Sequence, residues 1–116
     1  MKAFILATGR SGTTWVAAAL RAAAGLDARH ESMRYSVGRD FGGVEVNANL
    51  WHQHQTIRER FPGTPILHQV RDGRDVVRSV LSCGDARGSF HHACRRWTSR
   101  NRELLEAVPA THRYRL

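Results

Sequence analysis

Short apolar runs alternate along this chain with longer segments in which apolar residues recur at helical spacing. The runs AFILA (3–7) and PILHQV (65–70) are typical of strands that a parallel sheet buries on both faces. A weaker run, LDARH (26–30), indicates a strand between them, and HRYRL (112–116) looks like the start of another. The pattern therefore predicts three strands and the beginning of a fourth.

Helical periodicity fills the segments between these runs. Helices are predicted over 13–25, from Asn47 or Asn49 to Phe61, over 71–83, and along a stripe of Phe90, Cys94, Trp97, Leu104 and Val108. Gly25 and the pair Pro62-Gly63 supply stop signals, and Asp72 is the expected N-cap of the third helix. Residues 31–48 contain three glycines among mixed polar residues and are predicted to form an irregular loop.

The alternation of strands and helices predicts an α/β fold with a parallel sheet flanked by helices. Ligands of such folds bind at the carboxyl ends of the strands. Two glycine-containing turns, at 9–12 and 72–74, each follow a predicted strand at that edge. Their loops are therefore the first places to look for a binding site.

Composition and charge narrow the class of protein. The 116 residues are enough for one domain, and the net charge of +8 favours an anionic partner without choosing its kind. Cys83 and Cys94 form no disulfide framework, which favours a reducing compartment. The N-terminal apolar run is too short for a signal peptide or a membrane span, so a cytoplasmic protein without a membrane span is predicted.

The first glycine turn, ATGRSGTTW (7–15), has the composition of an oxyanion site. It leads from a strand into a helix N-terminus, where unpaired amides and the helix dipole favour an anion. The groups that would add to this are Gly9, Arg10, Ser11, Gly12, Thr13 and Thr14. A Walker A loop would place a lysine after the last glycine, and its absence means that no metal–nucleotide geometry is specified. A tight turn with a solvated arginine is the plain alternative.

The second turn lies in HQVRDGRDVVRSV (68–80) and adds another cation at the same sheet edge. Arg71 ends the predicted strand, and Ser79 follows eight residues later on the next helix. An arginine so placed can hold a second anion bidentately. The alternative is that Arg71 pairs with Asp72 or Asp75 and only stabilises the turn.

Together these two segments resemble the sulfotransferases that use 3′-phosphoadenosine 5′-phosphosulfate (PAPS). The family signature [K/R]SGTTW stands here as Arg10-Ser11-Gly12-Thr13-Thr14-Trp15. The resemblance implies that this loop holds the 5′-phosphosulfate, that Arg10 neutralises the transferring group and that Trp15 stacks on adenine. It further implies that Arg71 and Ser79 bind the 3′-phosphate. The expected fold is a P-loop-like parallel sheet, an incomplete sulfotransferase fold.

The same resemblance implies metal-free transfer of a sulfuryl group to a hydroxyl or amine of a small-molecule or glycan acceptor. The family's general base is a glutamate after the second strand or a histidine before the third, so Glu31 is the first choice. His30, His52 and His54 are the alternatives, and Glu31 could instead be a loop carboxylate paired with Arg29 or Arg34. Variable loops form the acceptor pocket in the family and correspond here to residues 31–48 and 84–90.

Length separates this chain from the family, whose domains are usually twice as long or longer. The resemblance covers residues 3–82 well and the remainder loosely, so 1–116 is expected to be one partial domain. Such a domain could be inactive, or dimerisation could complete its pocket.

Two other classes stay open. One is a P-loop nucleotide kinase or NTPase-like module, against which the missing lysine argues. The other is a basic nucleic-acid-binding domain, for which the support is a run of Arg95, Arg96, Arg100 and Arg102 on the fourth helix. Those arginines are more often a solvated face, and no aromatic residues interleave with them, so no nucleic-acid partner is predicted. His91, His92 and Cys94 lack a second ligand pair, so no metal site is predicted either.

Overall fold

A computed structural model of the chain describes residues 2–38, 40–84 and 89–116. Within those ranges five strands form: β1 (Ala3–Leu6), β2 (Ala28–His30), β3 (Val44–Asn47), β4 (Ile66–Val70) and β5 (Arg113–Arg115). The α-helices there are α1 (Thr13–Ala24), α2 (His54–Arg60), α3 (Gly73–Ser82) and α4 (Phe90–Ala107). A turn of 3₁₀ helix, Ala110–His112, leads into β5.

The strands form one parallel sheet in the order β2-β3-β1-β4-β5. Ile5 of β1 lies between Val46 of β3 and Leu67 of β4. The central position of β1 places the loop that follows it in the middle of the carboxyl edge. The predicted α/β class, with a parallel sheet flanked by helices, is therefore confirmed.

Helices cover both faces of the sheet because successive strand residues point in opposite directions. On one face, Ile5 and Val46 pack against Val16 of α1. On the other face, Phe4 and Leu6 join a cluster with Ile57 of α2, Leu104 of α4 and Val108, which directly follows α4. A smaller cluster joins α3 to α4.

The prediction of an irregular loop over 31–48 is wrong for Val44–Asn47, which forms β3. Val44 and Val46 face α1, whereas Glu45 and Asn47 are fully buried on the opposite face. These two polar side chains are hydrogen-bonded to each other, since Asn47 Nδ2 donates to Glu45 Oε1 at 2.9 Å. A buried polar pair of this kind has the sequence pattern of a surface segment.

The second helix begins later than predicted, at His54 and not at Asn47 or Asn49. Asn47 Oδ1 accepts from the amides of Asn49 at 2.7 Å and Leu50 at 3.1 Å, which closes a turn at the end of β3. An asparagine side chain that bonds to amides two and three residues on favours a turn over a helix.

The other predicted elements are confirmed to within a few residues. Gly25 ends α1 with a positive φ of 62°, and Asp72 caps α3 by accepting from the Arg74 amide at 2.9 Å. The strand predicted at the end of the sequence is β5, paired with β4. No helix among the described residues has both the length and the apolar character needed to cross a membrane.

Candidate anion-binding site at the carboxyl edge of the sheet

The loop from β1 to α1 is held from below by buried polar contacts. Ser11 is buried, and its hydroxyl lies 2.8 Å from that of Thr8. Its carbonyl accepts a hydrogen bond from Gln69 Nε2 on β4, and Gln69 Oε1 accepts from the Tyr114 hydroxyl at 2.7 Å. Burial raises the pKa of Tyr114 to about 12, so this donor stays protonated. Strands β4 and β5 thus fix the loop.

Above this support the loop turns sharply into α1. Arg10 and Gly12 both have left-handed backbone conformations, with φ of 66° and 83°. The helix ladder begins with the bond from Val16 N to Gly12 O at 3.0 Å, and no side chain caps the N-terminus of α1. The amides ahead of Val16 therefore stand outside the ladder, at the positive end of the helix dipole.

The second predicted turn meets this loop directly. Arg10 Nε donates to Ser79 Oγ at 3.0 Å, although the two residues are 69 positions apart. Arg71 Nη1 donates to the Arg10 carbonyl at 3.2 Å. Asp72 is held by Arg74, whose hydrogen bonds keep the pKa of that carboxyl well below its ordinary value. The side chain of Arg71 therefore reaches the loop and does not serve mainly to stabilise its own turn.

His30 and Glu31 form the wall beside α1. His30 Nε2 lies 3.0 Å from Thr13 Oγ1, 3.3 Å from Thr14 Oγ1 and 3.7 Å from Glu31 Oε1. One ring nitrogen thus lies within hydrogen-bond distance of two hydroxyls in the first turn of α1 and within ion-pair distance of the carboxylate.

Arg29 and the two other histidines do not join this wall. Arg29 pairs with Asp27 at 2.9 Å, and its pKa is raised by that hydrogen bond. His54 Nε2 lies 3.4 Å from Glu103 on α4, and His52 is exposed beside Trp51. Of the four candidate bases, Glu31 and His30 line the cavity at this edge, whereas His52 and His54 do not.

The turn that carries Glu31 is anchored by the buried side chains of β3, which the sequence prediction missed. Glu31 has a left-handed φ of 49°, and its amide donates to Val46 O at 3.0 Å. Next to it, Glu45 accepts from the Ser32 hydroxyl and, at 3.2 Å, from the Met33 amide. A non-glycine residue persists in this conformation only where its surroundings fix it, and such positions cluster at functional sites.

Two arginines of α4 also face the cavity. Arg96 and Arg100 line it and are partly buried, whereas Arg95 and Arg102 are exposed. Arg100 lies over the Trp51 ring, 5.2 Å from its centroid, a distance typical of a cation–π contact. Burial lowers the pKa of Arg100, and the nearby charge of Arg96 lowers it further. The interpretation of these arginines as a solvated face therefore fits Arg95 and Arg102 only.

The two turns, the wall formed by His30 and Glu31, and the two α4 arginines surround one cavity of about 660 Å³. Its lining includes Gly9, Arg10, Gly12, Thr13, Thr14, Trp15, His30, Glu31, Asn49, Arg71, Ser79, Arg96 and Arg100. Trp15 is 66% exposed and lines the same cavity. Four arginines against one carboxylate make the cavity suited to an anion with more than one charged group. Ser11 is the one predicted binding residue outside the lining, because its hydroxyl faces Thr8.

Comparisons of the chain with protein-family models, with curated proteins and with solved structures found no match. Among the described residues, no three histidine, cysteine, aspartate or glutamate side chains cluster as metal ligands would. Residues 85–88 of the predicted second acceptor loop lie outside the described part of the chain.

Proposed function

We propose that this chain belongs to a PAPS-dependent sulfotransferase with a P-loop-like fold, and that it transfers a sulfuryl group to a hydroxyl or amine of a small-molecule or glycan acceptor. The supporting observation is the direct contact between its two motifs. Arg10 donates to Ser79, and Arg71 donates to the Arg10 carbonyl, so two anion-binding turns open into one cavity.

The side chains in this cavity fit the anionic groups of PAPS. The 5′-phosphosulfate would lie on the uncapped N-terminus of α1 with Arg10, and the 3′-phosphate would lie between Arg71 and Ser79. The adenine would stack on Trp15, whose side chain is largely exposed at the cavity. The site residues carry backbone amides, hydroxyls and guanidinium groups, which suit oxyanions.

PAPS supplies an activated sulfuryl group with a phosphate leaving group. In the proposed reaction the acceptor oxygen or nitrogen forms the new bond to sulfur as the bond from sulfur to the phosphate oxygen breaks. Glu31 takes the proton that the acceptor loses. Arg10 and the α1 amides stabilise the charge that develops on the leaving oxygen. His30, bonded to Thr13 and near Glu31, orients the carboxylate.

Arg10 couples the two ends of the donor site. It donates to Ser79, the same hydroxyl that the 3′-phosphate would engage. A phosphate bound there would compete with Arg10 for Ser79 and direct the guanidinium toward the transferring group. The affinity of the site for one end of the donor would therefore depend on whether the other end is bound.

A thermal-shift screen tests the function class. Adenosine 3′,5′-bisphosphate and PAPS should each raise the melting temperature, since a ligand that binds only the folded state stabilises it. ATP with magnesium and a DNA oligonucleotide are the comparison ligands. Stabilisation by ATP or DNA without any response to the bisphosphate would refute the proposal in favour of a nucleotide kinase or a nucleic-acid-binding domain.

Glu31→Gln tests the catalytic assignment. This variant should keep the affinity for adenosine bisphosphate while turnover falls about 100-fold or more, as expected for loss of a general base. Glu59→Gln is the matched control, because Glu59 lies exposed on α2 and contacts Gln55. Unchanged turnover in Glu31→Gln would transfer the role to His30.

A further inference from the structure

A smaller cavity of about 310 Å³ adjoins the donor cavity and has no role in the donor binding proposed above. Its lining consists of Glu31, Arg34, Tyr35 and Asn49. Glu31, Tyr35 and Asn49 also line the donor cavity, so the two cavities adjoin at the proposed general base. An acceptor that gives its proton to Glu31 would therefore extend into the smaller cavity.

Hydrogen bonds to the backbone fix the turn that carries three of these four residues. The Arg34 amide donates to Glu31 O at 2.9 Å. Asn47 Nδ2 on β3 donates to Arg34 O at 3.4 Å, and Gln53 Nε2 donates to Tyr35 O. Glu31 and Arg34 both have left-handed backbone conformations, with φ of 49° and 51°. Such positions persist where the surroundings fix them and cluster at functional sites, so the turn is built to hold its side chains at the cavity.

Tyr35 presents an aromatic ring that the fold itself does not use. Its side chain is 74% exposed and lines both cavities. Among the described residues, no hydrogen bond or ring contact involves that side chain, although its carbonyl is bonded to Gln53. The negative face of an aromatic ring attracts C–H groups and flat rings. Tyr35 therefore offers the acceptor a stacking surface next to Glu31.

The rest of the smaller cavity is polar. Within the described ranges, the Arg34 guanidinium and the Asn49 side-chain amide have no hydrogen-bond partner, because only the backbone groups of these two residues are engaged. A hydrocarbon ring on Tyr35 would take these groups from water without bonding to them, which is unfavourable. An open-chain polyol would bond to them but would not stack. A pyranose ring does both, since its C–H face is apolar and its hydroxyls surround its edge.

We infer that Tyr35, Arg34 and Asn49 select a pyranose ring of the acceptor. This inference rests on the proposed function and adds the acceptor class and the residues that recognise it. The ring would stack on Tyr35, and two of its hydroxyls would bond to Arg34 and Asn49. A further hydroxyl would give its proton to Glu31 as its oxygen bonds to sulfur and the bond from sulfur to the phosphate oxygen breaks.

Matched probes test the inference without depending on turnover. The methyl pyranosides of glucose, galactose and mannose are compared with sorbitol, which carries hydroxyls without a ring, and with 4-methylphenol, which is a ring with one hydroxyl. Titrations followed by NMR would measure their binding to the protein saturated with adenosine bisphosphate. At least one pyranoside should bind roughly tenfold more tightly than sorbitol and more tightly than 4-methylphenol, as expected when stacking and hydrogen bonds act together.

Substitutions separate stacking from hydrogen bonding. Tyr35→Ala should lower the affinity for that pyranoside about tenfold, whereas Tyr35→Phe keeps the ring and should stay within about twofold of wild type. Asn49→Ala should lower it about three- to tenfold. Phe90→Ala is the matched control, because Phe90 is an exposed ring on α4 and lines neither cavity. The affinity for adenosine bisphosphate should stay within about twofold of wild type in all four variants.

Equal binding of the pyranosides and sorbitol would overturn the inference, as would tighter binding of 4-methylphenol. Unchanged pyranoside affinity in Tyr35→Ala would remove the role of the ring. A loss of bisphosphate affinity in Tyr35→Ala would also overturn the inference, by assigning Tyr35 to the donor. Failure of the wild type to bind the bisphosphate at all would refute the proposed function itself.

Discussion

Gln69 on β4 links Tyr114 of β5 to the loop between β1 and α1, and replacing it should destabilise the fold measurably. Its side chain is fully buried, donates to the Ser11 carbonyl and accepts from the Tyr114 hydroxyl at 2.7 Å. Gln69→Leu keeps nearly the same volume, so it leaves no large cavity. It does remove both hydrogen bonds, so the Ser11 carbonyl and the Tyr114 hydroxyl each lose a partner.

The expected magnitude follows from the surroundings of those partners. Ser11 is almost completely buried, so its carbonyl loses its partner where water cannot replace it. An orphaned buried group costs about 1–3 kcal/mol, and the bond from the half-buried Tyr114 adds about 1 kcal/mol, for about 2–4 kcal/mol in all. For a chain of this length that lowers the Tm by roughly 8–16 °C.

Urea unfolding followed by circular dichroism would measure the change in the free energy of unfolding. Gln55→Leu is the matched control, since Gln55 lies exposed on α2 and its replacement should change stability by no more than about 0.5 kcal/mol. Tyr114→Phe should give an intermediate loss. A loss below about 1 kcal/mol in Gln69→Leu would refute the view that these bonds hold the loop.

The remaining predictions concern donor binding and pH. Arg71→Ala should weaken adenosine bisphosphate binding about 10- to 100-fold by calorimetry. The Arg74 side chain is 92% exposed, so Arg74→Ala should change that affinity less than about threefold. Equal losses of affinity in the two variants would contradict the assignment of Arg71 to the 3′-phosphate. Burial lowers the pKa of His68 below its ordinary 6.5, so the unfolded chain takes up a proton that the folded state resists. Stability should therefore fall as the pH drops below about 6.5. His68→Gln keeps a donor for Asn101 and should flatten this decline in urea titrations. An unchanged dependence of stability on pH would count against the assignment of the decline to His68.

The sequence predicted the elements around the two turns well because local chemistry determines them. A strand, a glycine turn and a helix N-terminus form a continuous segment in residues 3–15, and Asp72 caps α3 from its own turn. The direction of the Ser11 side chain, in contrast, does not follow from the local sequence. A motif places its hydroxyl among the ligands, but only the packing of Thr8 and Gln69 against it determines that it faces inward.

Strand β3 and the α4 arginines depend on distant parts of the chain. Glu45 and Asn47 read as surface residues until the turn after β2 supplies Ser32 and Met33 as donors to Glu45. Arg96 and Arg95 are neighbours of identical chemistry, yet one lines the cavity and the other is exposed, because α4 packs on the sheet with one face.

The sequence alone thus determined the α/β class, the two turns at one sheet edge, the end of α1 and the start of α3, since these follow from hydrophobic periodicity and from local backbone and side-chain chemistry. Only the tertiary structure decided the strand order, the contact between Arg10 and Ser79, and the presence of Arg96 and Arg100 in the cavity lining. These features join residues far apart in the sequence, and their positions depend on how the helices pack across the sheet.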